Sequence, residues 1–158
     1  LDSRGNGSRS GEAARSGENI KYLDMTKENL KQCIISLYPG FETVWESKNN
    51  HHINDDGSFT YCGVFAAFSN YFREHIAEFS DEQLRTLFEH METWQRSEVH
   101  VTPQQWIKGD VSDEIKLSNA ACTCFLENIA GEGLTKTIKP YLRPKSLAYY
   151  ANYDSEAR

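Results

Sequence analysis

A chain of 158 residues with 39% hydrophobic content is long enough for one domain around one modest core. No apolar run approaches the roughly 18 residues that span a bilayer, so no membrane partner is expected. A formal net charge of −6 argues against a general nucleic-acid binder, whose phosphate contacts need a basic surface, and permits a basic partner protein.

Residues 1–24 differ from everything after them. They hold four of the ten glycines and four serines, and their four acidic residues balance four basic ones, so the whole −6 belongs to residues 25–158. Such a stretch buries too little apolar surface to offset its ordering entropy. It reads as a disordered linker or expression-derived segment, with Met25 as the natural start of a single helical domain over 25–158. The polar N-terminus shows no apolar signal-peptide core, and the expected location is cytoplasmic.

Helical periodicity begins at once. Thr26 can cap a helix bearing Leu30, Cys33, Ile34 and Leu37, and Pro39-Gly40 ends it. Phe41, Val44 and Trp45 mark a short second helix, and a polar connection runs from Ser47 to Ser58. Phe65, Phe68, Phe72, Ile76 and Phe79 then recur at spacings of three and four, the stripe of an amphipathic helix. In "SDEQ", Ser80 and Gln83 form a capping box ahead of Leu84, Leu87, Phe88, Met91 and Trp94. Residues 98–113 break the rhythm: Val99 and Val101 alternate with polar residues, and Pro103 forbids a continuing helix, leaving Trp106 and Ile107 in loop-like company. Helical spacing resumes through Ile115, Cys122, Phe125, Leu126 and Ile129. Two short segments follow, one before Pro140 and one from Pro144. The pattern predicts an all-α fold, an antiparallel helical bundle or short HEAT-like stack of about six helices.

Candidate chemistry is sparse. The stretch "HHINDDGS" offers His51, His52, Asp55 and Asp56, the one arrangement that could serve a small metal-dependent hydrolase. Adjacent imidazoles tend to point apart, the spacing fails the calcium-loop pattern, and Asp56-Gly57 is itself a turn signal. A solvated connection is the better reading, and neither metal nor cofactor is expected. Cys33, Cys62, Cys122 and Cys124 stand among apolar neighbours, as small buried thiols do. Cys122 and Cys124 lie about 200° apart on a helix, which places one toward the core and the other near a helix contact. No glycine-rich elbow, oxyanion loop or P-loop accompanies the histidines and cysteines. The carboxylates on the third and fourth helices outnumber Arg73 and Arg85, a bias that could steer a basic partner. Trp106 is either pinned back onto the domain or offered to a partner.

"NAACTCFLENIAGEG" and "IKPYLRPKSLAYYANYD", with "MTKENLKQCIISLYPGFETVWE" and "DDGSFTYCGVFAAFSNYF" before them, resemble a family of small bacterial all-helical proteins. Its members are similar to immunity proteins encoded near polymorphic toxins. The resemblance covers most of residues 25–154 and implies a fold without catalytic residues. The leading expectation is a non-enzymatic protein that occludes a cognate toxin domain, with the loop and acidic residues Asp55, Asp56, Trp106, Lys108, Asp110 and Asp113 as those that would meet it. The run from Glu98 to Asp113 is longer than the family connection, which marks it as a place where a specific partner would be recognised. A structural or adaptor protein is the remaining alternative.

Overall fold

The computed structural model describes residues 25–96 and 101–158, which form eight helices and, among the described residues, no strand. They are α1 (Lys27–Leu37), α2 (Gly40–Trp45), α3 (Tyr61–His75, extended by a 3-10 turn, Ile76–Glu78), α4 (Asp81–Trp94) and α5 (Pro103–Lys108). The sixth, α6, is one continuous run: Asp113–Ala120, a π-helical stretch Ala121–Leu126, and Glu127–Ile129. Two short helices close the chain, α7 (Thr135–Ile138) and α8 (Pro144–Tyr150). The all-α bundle expected from periodicity is what forms; α5 is the helix that the periodicity did not mark.

The boundaries are set by local chemistry. Thr26, Thr60, Ser80 and Ser112 each accept a hydrogen bond from the backbone N–H of the third helical residue, satisfying a donor that the helix leaves free. The Ser80 cap is the reciprocal box read from "SDEQ". Gln83 also donates to the Leu37 carbonyl at 2.8 Å, which ties the start of α4 to the end of α1.

The core is aromatic and centres on α3. Its stripe of Phe65, Phe68 and Phe72 is fully buried, and Phe125 of α6 meets all three rings at 6.1, 5.3 and 5.3 Å. Ring pairs at these separations are worth about 0.5–1.5 kcal/mol each beyond the area they bury. The π turn buries Cys124, Phe125 and Leu126 in succession.

Two of the four cysteines are not thiols. Cys62, exposed at the first turn of α3, is bonded to Cys124 of the π turn, with S–S 2.06 Å and 62 residues between them. The expectation of four buried thiols fails here because Cys62 faces outward at the helix start, where the π turn brings Cys124 beneath it. Cys33 and Cys122 remain free and half-buried. The expectation for Cys122 and Cys124 holds: Cys124 faces the core side, and Cys122 sits at a helix contact, accepting from the Gln95 amide at 3.3 Å.

The C-terminal signature residues hold the bundle closed. The Glu92 carboxylate accepts the free backbone N–H groups of Lys145 and Ser146 at the start of α8. The Lys145 ammonium in turn donates to the carbonyls of Glu92 and Gln95 at the end of α4. Ser146, fully buried, donates to Gln95 at 2.6 Å. Asp154 accepts from the Gly131 N–H, the Thr135 and Tyr150 hydroxyls and the Glu156 N–H. Those donors hold its carboxyl below the usual carboxylate range, Thr135 contributing most. Burial, with smaller effects from the neighbouring carboxylates, pushes the Tyr150 hydroxyl up to about 12.

Candidate docking site

The polar connection is built as a turn. Asp56 accepts from both the backbone N–H and the hydroxyl of Ser58, and the Asn54 carbonyl accepts from Gly57, whose φ of 81° suits glycine. The Ser58 hydrogen bonds are the main reason the Asp56 carboxyl lies low, with a small contribution from Lys27. Asp55 is exposed beside it. His51 and His52 line a different hollow of about 260 Å³ with Asn49, Asn50 and Asn70 and no carboxylate. Among the described residues no three His, Cys, Asp or Glu side chains gather around one point. The four residues of the metal reading are therefore split between a turn and a separate hollow. Gly63 explains why this connection lies so close to α3: a Cβ there would meet the His52 carbonyl oxygen at 3.2 Å.

The irregular run resolves differently from its expectation. Pro103 does not exclude a helix; it starts one, because the first helical position needs no N–H. Thr102 and Gln105 form a second capping box, and Gly109, at φ 72°, closes the helix in the left-handed region. Val99 lies outside the described residues. The six-residue α5 buries none of its side chains. It carries Trp106, 40% exposed, and Ile107, 85% exposed. Lys108 and Asp110 are exposed beside them, and the Asp110 N–H is held by the Gln105 carbonyl at 3.0 Å. Just beyond, buried Val111 pins the chain to the body before Ser112 caps α6.

Trp106 lies between two hollows. One, of about 530 Å³, has Phe59, Tyr61, Cys62 and Ala120 among its walls, with Lys27, Asp113 and Lys116 around it. The other, of about 420 Å³, includes Arg96, Ile115, Cys122 and Tyr149. Trp106 and Asn119 line both, so the two adjoin as a trough with the indole between them. The first hollow has mainly apolar walls with a few polar groups, the usual make-up of a binding site, and the second is evenly mixed. The Tyr61 hydroxyl, pushed up mainly by burial and secondarily by Asp113, stays protonated and donates to the Met25 carbonyl at 2.7 Å.

The structure thus brings two sequence-chosen residues, Trp106 and Asp113, to the same hollow, with Lys108 at the end of α5 and Asp110 just after it. Asp55 and Asp56 are not among its lining residues; they sit in the turn that leads to Phe59. Sequence reading missed Lys27, Phe59, Tyr61, Cys62 and Lys116. The available signal for Lys27, Phe59, Tyr61 and Cys62 was Thr26 and Thr60 as helix starts beside them. No protein-family model, curated protein or solved structure matches the chain. No helix among the described residues is long and apolar enough to cross a membrane.

Proposed function

We propose that this chain is a non-enzymatic binding protein that neutralises a partner by occluding it, in the manner of an immunity protein, with a toxin domain as the partner. The observation that carries the reading is α5, a helix that adds nothing to the core and holds Trp106 and Ile107 out to solvent between two adjoining hollows. Tryptophan in such a position is the typical anchor of a protein interface. The strongly held titratable groups favour the same reading, since Asp154, Tyr150 and Asp81 are all engaged in contacts between segments of the fold. At long range the net charge of −6 favours approach of a basic partner, an effect that salt weakens. The Cys62–Cys124 bridge supports a place of action in an oxidising compartment, because reducing compartments rarely keep such bonds.

The test uses co-purification and protection assays with the product of the neighbouring gene. Trp106→Ala is expected to weaken binding by about 2 kcal/mol or more, roughly thirty-fold in Kd. Ile107→Asp is expected to abolish protection while leaving the thermal unfolding midpoint unchanged, since Ile107 packs into nothing. Full protection by both variants removes the docking face from this helix.

A further inference from the structure

The charge of the trough runs against the charge of the chain. In a molecule of net −6, the two hollows are lined by Lys27, Lys116 and Arg96 against a single carboxylate, Asp113. Two of these cations are engaged: Lys116 lies 3.8 Å from Asp113, and Arg96 lies 2.6 Å from Glu114. Lys27 makes no close ion pair among the described residues, though its charge reaches the Asp56 carboxylate, and it rests 5.8 Å from the centre of the Phe59 ring. The N-terminal turns of α1 and α3 contribute Lys27, Tyr61 and Cys62 to the same hollow, and their partial positive charge adds to that of the lysines. Below these cations the floor is apolar, with Phe59, Tyr61 and Ala120 all buried.

We infer that the trough receives an extended segment of the partner protein in which an aromatic or branched apolar side chain stands next to a carboxylate. The apolar side chain would fill the hollow under Trp106, and the carboxylate would meet Lys27 and Lys116. An extended occupant fits because the two hollows adjoin across Asn119, a shape that a compact ligand would leave half empty. This inference rests on the docking role proposed for the Trp106 face, but it fails or survives separately, since it is tested without the partner.

The test is a titration of the whole chain, followed by 1H–15N spectra, with acetyl-Phe-Glu-Leu-Phe-amide and its Phe-Gln-Leu-Phe counterpart. The acidic peptide is expected to saturate and to shift the Trp106 indole N–H and the backbone signals of Lys27 and Cys62. The neutral one is expected to bind about three- to five-fold more weakly, the scale of one exposed ion pair. Lys27→Gln with Lys116→Gln, both outside the core, should erase the difference between the peptides, and so should 0.5 M salt. Equal titration of the two peptides, shifts that map away from the trough, or no shift at all would overturn the inference. So would a dilution-dependent dimer that protects the same signals, because the occupant would then be a second copy. None of these outcomes bears on whether Ile107→Asp abolishes protection.

Discussion

Asp154 shows what single residues do in this molecule. Four donors from three segments converge on one carboxylate, which ties the chain after α8 to the turn before α7. Its native pKa is depressed below the unfolded value of about 3.9, so its contribution to stability is complete above that value. The contribution is lost as pH falls through the depressed native value. Acid unfolding followed by circular dichroism should therefore show a stability loss that begins below about pH 4. Asp154→Asn is expected to be less stable at neutral pH and to lack that part of the acid limb. Part of this scale was legible: the stretch from Ile138 to Asp154 resembles a signature without catalytic residues, and its Lys145, Ser146 and Asp154 hold segments of the fold together. What the sequence did not show was which partner. Glu92 and Gln95 lie some fifty positions upstream of the residues they hold, and no local pattern links them.

Among the elements, α5 and α3 are opposites. Helix α3 buries nine of its fifteen residues and belongs to the core on nearly every side, whereas α5 buries none of its six. An isolated helix of that length is marginal in water, so α5 persists through its capping box, its Gly109 stop and the anchor at Val111. Amide hydrogen exchange is expected to show fast exchange over residues 106–110 and the slowest exchange over the middle of α3; equal protection would mean that α5 is packed more firmly than its exposure indicates. The strong stripes of α3 and α4 were readable because burial on one face enforces a period. Helix α5 has no buried face and therefore no period, and its proline, which bars a helix from continuing through it, also suits the first helical position. The π turn left no mark in the spacing, since runs of three buried residues also occur in the α-helical α3.

For the molecule as a whole, the Cys62–Cys124 bridge is the main departure from what the sequence implied. Spacing alone could not pair these cysteines, since four of them allow three connectivities and a pattern of small buried thiols looks the same. Alkylation of unfolded, unreduced protein is expected to modify Cys33 and Cys122 only, and all four after reduction, as read by mass spectrometry. In the folded state both free thiols should react slowly at neutral pH, because burial raises their pKa. Replacing Cys62 and Cys124 together by Ser is expected to cost about 2–4 kcal/mol, measured by denaturant unfolding under oxidising conditions. The bridge also makes a covalent ring of everything from residue 62 to residue 124, a ring that contains α4 and α5. A break in the backbone at α5 would leave one molecule rather than two. The segment that presents Trp106 is thus the part of the chain that can be cut, exchanged or lengthened at least expense to the frame that carries it.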